Sequence, residues 1–167
     1  MNETPLHFKT ITELADLIKS KALSPVEITD AMLDRIRERD PQYKSYATVM
    51  DDQARASAQA AERAISSGNY LGPLHGVPIA VKDLCFTKGV ATMGATKALM
   101  NHVPDFDCTV VRKLNAAGAI ILGKLNLTEG AMAGYNPEFQ VPVNPWGADL
   151  WSGASSSGSG VATSAGL

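Results

Sequence analysis

Two segments of the sequence carry residue types that could do chemistry together. The first is a lysine, Lys82, placed directly after the apolar run 77–81. Lysine is almost never fully buried without a partner, and burial lowers the pKa of its ammonium until a neutral amine can act as a base near pH 7. The alternative interpretation is a strand that ends in water, with Lys82 and Asp83 at its exit.

The second segment is the loop SGASSSGSG, residues 152–160, which precedes a small-residue stretch that favours a helix. Such a loop can hold an anion on its N–H groups, position a serine for acyl transfer, or serve as a flexible linker. Trp146 and Trp151 upstream and the helix downstream disfavour a linker, because a tether needs neither. A phosphate-binding loop is not indicated, since its glycine and lysine spacing is absent.

Helices precede these segments. The pattern of residues 1–70 predicts one helix that begins near Thr12 and another that begins at Ser24-Pro25-Val26-Glu27. Ser24 is expected to cap the second helix, with the Glu27 side chain reaching back, and Pro25 suits the first helical position. Asp40-Pro41 is expected to end that helix, and the alanine-rich residues 51–67 predict a third.

From Gly72 onward the pattern alternates between strand and helix. It predicts a strand over 77–81, a helix capped by Asp107, a strand over 119–122, a short helix over 128–133 and a long loop over 134–154. These elements indicate an α/β fold with a mixed, mainly parallel sheet flanked by helices. We expect residues 1–70 to form an N-terminal helical layer and residues 71–167 to form the first part of the α/β core.

Composition excludes several classes of protein. The 167 residues are 45% hydrophobic and 19% charged with a net charge of −2, which is typical of a folded chain and not of a nucleic-acid binder. The apolar runs are too short for a membrane span, and the polar start is no export signal. Cys85 and Cys108 do not make a disulfide framework, so we expect a cytoplasmic location. We interpret these cysteines and His75 as structural residues.

Three motifs in this order resemble those of the amidase signature family: GPLHGVPIAVKD at 72–83, NPWGADLW at 144–151 and GASSSGSG at 153–160. The resemblance runs from about Gly72 to Leu167. The family contains amide hydrolases and the A-type glutaminase subunits of tRNA-dependent amidotransferases. The resemblance therefore implies an incomplete amidase-signature fold that acts on a small-molecule amide without a metal or other cofactor.

The resemblance also implies roles for individual residues. The family uses a Ser–cisSer–Lys triad, in which Lys82 matches the base and Ser155 matches the bridging serine, with a cis bond between Ala154 and Ser155. A hydroxyl can donate and accept at once, so it suits a proton relay. Ser156 is expected to be a supporting hydroxyl, and Ser157 and Ser159 to satisfy backbone groups at a helix start. Ala131 and Met132 match the border of the substrate pocket.

One part of the family pattern lies outside this sequence. The family's nucleophilic serine belongs to a second Gly-Gly-Ser motif beyond the twelve residues that follow Ser155 here. Because one oxyanion donor alone is worth about 10²–10³ in rate, we expect no amidase activity from these 167 residues by themselves. An incomplete sheet leaves an uncovered edge, so we also expect self-association.

Three functions remain open from the sequence. The chain is the N-terminal part of an amide hydrolase, the corresponding part of the A-type glutaminase subunit of a tRNA-dependent amidotransferase, or a non-catalytic fragment. The near-neutral charge disfavours direct contact with nucleic acid. Nothing in the motifs identifies the amide, because fold resemblance does not transfer specificity.

Overall fold

Five α-helices and a small sheet make up the computed structural model, which describes residues 4–132 and 134–167. The helices are α1 (Ile11–Lys19), α2 (Pro25–Tyr43), α3 (Asp51–Ser66), α4 (Thr109–Ala116) and α5 (Ser157–Ala165). The strands are β1 (Tyr46–Val49), β2 (Pro78–Lys82) and β3 (Ile120–Leu125). Single 3₁₀ turns lie at Leu6–Phe8, Lys97–Leu99 and Glu129–Ala131.

The sheet is mixed, and β3 is its central strand. The strand order is β1-β3-β2, in which β2 is parallel to β3 and β1 is antiparallel to it. Every residue of β3 is buried, as expected for a strand covered on both faces. The predicted α/β class with a mixed sheet is confirmed. The N-terminal 70 residues are not all helical, however, because they include β1, which the sequence analysis missed.

The two faces of the sheet pack against separate apolar clusters. The larger cluster joins α1, α2 and α3 to one face of the sheet and includes Ala162 of α5. A smaller cluster on the other face contains Val81, Val111 and Ile121. Within the described residues, no helix is long and apolar enough to cross a membrane.

Helix α2 begins as predicted but ends later. Ser24 accepts hydrogen bonds from the N–H groups of Val26 and Glu27. The reciprocal capping contact expected from the Glu27 side chain is not formed, and the Ser24 hydroxyl donates instead to Glu62 of α3. The helix passes through Pro41 to Tyr43, since the Asp40 carbonyl accepts from Lys44 N at 2.6 Å and closes the last turn.

Two other boundary predictions were wrong. Asp107 does not cap α4, because its carboxylate accepts from Lys88 N at 2.7 Å and from Asn115 Nδ2 at 3.2 Å. The helix expected over 128–133 is reduced to one 3₁₀ turn, in which Gly130 has a φ of +55°. That left-handed backbone interrupts the helical path.

Candidate active site

Lys82 and two serines of the Ser/Gly loop meet at the carboxyl end of strand β2. Lys82 Nζ lies 2.6 Å from Ser155 Oγ and 2.9 Å from Ser156 Oγ, so it can hydrogen-bond with both hydroxyls. The peptide bond between Ala154 and Ser155 is cis, at the position that the family resemblance indicates. Residues separated by more than seventy positions in the sequence therefore form one cluster of an amine and two hydroxyls.

The parallel pairing of β2 and β3 brings this cluster together. Lys82 is the last residue of β2, and its neighbour on β3 is Leu125, so the chain beyond β3 continues past Lys82. That continuation holds the Ser/Gly loop, because Thr128 N donates to Ser155 O at 3.2 Å and Gly158 N donates to Asn126 O at 2.9 Å. The site thus lies at the carboxyl ends of parallel strands, where α/β folds place their ligands.

Partial burial changes the acid–base behaviour of Lys82. Desolvation lowers its pKa from the usual 10.5, opposed by a smaller effect of Cys85. As an ammonium, Lys82 donates to both serines, whereas as a neutral amine it accepts the proton of the Ser155 hydroxyl. Lowering the pKa increases the fraction of the neutral form, which is the form able to act as a base.

A tyrosine braces the loop that carries the two serines. Tyr135 OH donates to Gly153 O at 2.9 Å, and its ring meets Trp151 edge to face with centroids 5.3 Å apart. These contacts fix the residues just before the cis bond. The sequence analysis placed Trp151 in a long loop and did not identify this role for Tyr135.

The serines at the start of α5 have different surroundings. Ser156 is at the N-cap position, but its hydroxyl contacts Lys82 and does not cap the helix. Ser157 was predicted to satisfy a backbone group; this is wrong, because its buried hydroxyl has no partner among the described residues. The next residue, Gly158, lies directly against the backbone of Asn126 and Ser45.

A comparison with protein families identifies the family of the chain. The family model described as Amidase matches residues 27–167, which include Lys82 and both serines of the cluster. The chain belongs to the amidase signature family. The family prediction made from the motifs is thereby confirmed.

Two relatives from this family resemble the chain over all or nearly all of its length. It is 50% identical to the AmiD protein of Mycobacterium tuberculosis (strain ATCC 25618 / H37Rv) over 100% of the chain and 35% of that protein. It is 48% identical to the A-type subunit of the glutamyl-tRNA(Gln) amidotransferase of Geobacter metallireducens (strain ATCC 53774 / DSM 7210 / GS-15) over 93% of the chain and 32% of that protein.

A solved amidase signature structure has the same fold. The native peptide amidase from Stenotrophomonas maltophilia superposes with a TM-score of 0.88 at 32% identity, over 95% of this chain and 34% of that one. The chain spans about a third of the length of the curated relatives it matches.

The two residues expected at the substrate pocket lie in the turn beside Ser155. Ala131 N donates to Thr128 O at 2.9 Å, and Thr128 N is the donor to Ser155 O. Met132 is 74% exposed and is therefore not a core residue. Their contact with substrate remains a prediction.

A buried ion pair beside Lys82 was missed by the sequence analysis. Lys124 Nζ lies 3.0 Å from Asp83 Oδ1, and the two side chains are 0% and 1% exposed. Lys124 follows the apolar run Ile120–Gly123 just as Lys82 follows its own run. The signal that identified Lys82 could therefore have identified Lys124.

The other polar candidates, His75 and the two cysteines, are buried or half-buried. His75 is buried, its Nδ1 accepts from Leu71 N at 3.1 Å, and burial lowers its pKa from 6.5. Cys85 and Cys108 are free and half-buried, and burial raises the pKa of Cys85. Over residues 4–132 and 134–167, no group of three or more His, Cys, Asp or Glu side chains could hold a metal ion.

Proposed function

We propose that the chain is the N-terminal part of an amide hydrolase that converts a carboxamide to an acid and ammonia or an amine. In this proposal Lys82 is the base and Ser155 is the bridging serine of a Ser–cisSer–Lys triad, with Ser156 as a supporting hydroxyl. The observation that carries the proposal is the 2.6 Å contact between Lys82 Nζ and Ser155 Oγ at a partly buried amine of lowered pKa. Membership of the family supports the reaction class.

The proton path follows from the two hydroxyls that face Lys82. Neutral Lys82 Nζ accepts the proton of Ser155, and Ser155 Oγ accepts the proton of the nucleophilic serine as that serine attacks the amide carbon. Ser156 gives the amine a second polar contact at 2.9 Å, which restricts its direction. The proton then returns by the same path to the leaving nitrogen as the C–N bond breaks. Water next attacks the acyl ester and passes its proton along the same relay, which releases the acid and restores the nucleophilic serine.

The proposal includes inactivity of these residues on their own. The chain spans about a third of its relatives' length, and the family's nucleophile and oxyanion donors belong to the remainder. It also includes a reducing, cytoplasmic location, which the low cysteine content supports.

A chimera tests the proposal. The part of M. tuberculosis AmiD that follows its matched segment is joined after Leu167, and ammonia release is measured on a panel of primary carboxamides. We expect release from the chimera and none from the chain alone. Lys82→Ala and Ser155→Ala should each lower kcat by about 10²–10⁴, the usual contribution of a general base.

Lys88→Ala is the matched control, because Lys88 is an exposed lysine on the loop that follows Lys82. It should retain the activity of the chimera. A folded chimera that releases ammonia equally well with Lys82→Ala would refute the role of Lys82. Ammonia release by the chain alone, abolished by Lys82→Ala, would refute the expected inactivity.

The glutaminase component of an amidotransferase is the second candidate. Its support is the 48% identity to the G. metallireducens amidotransferase protein, which is close to the identity with AmiD. The same carboxamide panel separates the two candidates when glutamine is included. Release from glutamine alone favours the amidotransferase component, and release from simple carboxamides favours the hydrolase.

A further inference from the structure

Each member of the ion pair between Asp83 and Lys124 has a second polar partner. Lys124 Nζ donates to Thr92 Oγ1 at 2.7 Å in addition to its contact with Asp83 Oδ1. The other carboxylate oxygen of Asp83 accepts from Met93 N at 2.9 Å. The Asp83 backbone is also fixed, because its N–H donates to Leu125 O and its carbonyl accepts from Gly94 N.

The pair and Lys82 lie on opposite faces of the sheet. Val81 is the neighbour of Lys124 across the parallel ladder and belongs to the smaller apolar cluster. Successive residues of an extended chain point to opposite faces, so Val81 and Asp83 share the face of Lys124. Lys82, between them, points to the face on which α5 and its preceding serines lie. Anchoring Asp83 on one face therefore aims Lys82 at the other.

The same pair is connected to the serine side of the site. The segment that holds the Asp83 carboxylate ends at Gly94, whose carbonyl accepts from Gly130 N at 2.8 Å. Gly130 belongs to the turn that starts at Thr128, and Thr128 N donates to Ser155 O. Hydrogen bonds and the short backbone segments between them thus join the pair to Ser155, as the backbone joins it to Lys82.

Stability alone does not account for a buried pair of this kind. Replacing a buried ion pair by apolar residues is often neutral or stabilising, because desolvation offsets the attraction between the charges. We propose that Asp83 and Lys124 form a positioning pair that holds the Lys82 amine against Ser155 and Ser156. This inference rests on the proposed function, in which Lys82 is the base.

The test measures the titration of Lys82 in the 167-residue chain, which needs no catalytic activity. Limiting acetic anhydride is applied across a pH series, and acetylation of Lys82 is followed by peptide mass mapping. The reference is the midpoint of Lys82 in the same chain unfolded in urea. The variant is the double substitution Asp83→Asn with Lys124→Met, which leaves the net charge unchanged and leaves Cys85 in place.

We expect the folded chain to give a Lys82 midpoint below the reference. In the folded double variant the midpoint should rise to the reference, because the released amine becomes solvated. Far-UV circular dichroism and urea unfolding establish that the variant is folded. If the pair were purely structural, the double variant would be stably folded and its Lys82 midpoint would stay where it is in the unsubstituted chain.

The outcomes separate the two proposals. A folded double variant with an unchanged low midpoint overturns the positioning role and leaves the proposed function intact. A wild-type midpoint equal to the reference overturns the base role of Lys82 and, with it, the inference. If the double variant does not fold, Thr92→Val replaces it. Thr92→Val removes the hydroxyl that accepts from Lys124 and keeps a similar side-chain volume. A raised Lys82 midpoint in this variant would support the positioning role, and an unchanged midpoint would overturn it.

Discussion

Gly158 lies where the Ser/Gly loop meets the sheet, and it allows a sharp test of how α5 is docked. A Cβ added at Gly158 would lie 2.5 Å from Asn126 O, 2.6 Å from Asn126 N and 2.6 Å from Ser45 O. All three atoms belong to the backbone, so no side-chain rotation can relieve the overlap. Gly158→Ala must therefore displace the start of α5 and stretch the 2.9 Å hydrogen bond from Gly158 N to Asn126 O.

The expected cost follows from opposing effects. Overpacking costs about 1–3 kcal/mol and the weakened hydrogen bond about 1 kcal/mol, against a gain of about 1 kcal/mol in helix propensity. Gly158→Ala should therefore destabilise the chain by about 1–3 kcal/mol. Gly160→Ala is the matched control in the same helix, because its Cβ would meet nothing within 4 Å. It should stabilise the chain by about 0.5–1 kcal/mol.

Urea unfolding followed by circular dichroism and tryptophan fluorescence measures both variants. Trp146 reports on α5 directly, since its Nε1 donates to Ser164 Oγ at 2.8 Å. Each kcal/mol corresponds to about 2–4 °C in Tm for a chain of this size, so thermal unfolding provides a second reading. Equal stability of Gly158→Ala and Gly160→Ala would refute the close approach of α5 to the end of β3.

Three further predictions concern other parts of the molecule. Lys124→Met alone leaves Asp83 buried without its counter-ion and should cost about 3–5 kcal/mol in urea unfolding, most of which Asp83→Asn should recover. Burial lowers the pKa of His75 from 6.5, so the unfolded chain binds more protons there, and the free energy of unfolding should fall as the pH drops from about 7 to 5. His75→Gln should flatten that slope, and an unchanged slope would contradict the assignment. Trp146 and Trp151 are 83% and 63% exposed, so analytical ultracentrifugation should show self-association that rises with concentration, and a strict monomer would contradict it.

Local patterns predicted the elements that depend on neighbouring residues. The strand before Lys82 was predicted from its apolar run, and helix α3 was predicted from its alanine content and helical spacing, because both signals lie within the segment itself. Strand β3 was predicted to end at residue 122 but runs to Leu125. Its extension depends on partners distant in sequence, because Lys124 meets Asp83 and Gly123 leaves room for the Thr48 carbonyl of β1.

Strand β1 also depends on partners that are distant in sequence. Its four residues, Tyr46–Val49, lie between two helices and carry too short a pattern to be recognised. The strand forms because β3 offers an antiparallel edge, and Asn126 Nδ2 fixes its start by donating to the carbonyls of Lys44 and Tyr46. For the site, the sequence motifs predicted Lys82, Ser155 and Ser156 but not the ion pair between Asp83 and Lys124.

The partners of the two strand lysines distinguish their roles. Both follow apolar runs, but Lys124 faces a carboxylate at 3.0 Å whereas Lys82 faces two hydroxyls. Partial burial beside neutral hydroxyls lowers the pKa of Lys82 and so favours its uncharged form. Among the residues the structure describes, no carboxylate lies within salt-bridge distance of Lys82. A proton relay needs the uncharged form, so Lys82 suits the base and Lys124 suits the anchor.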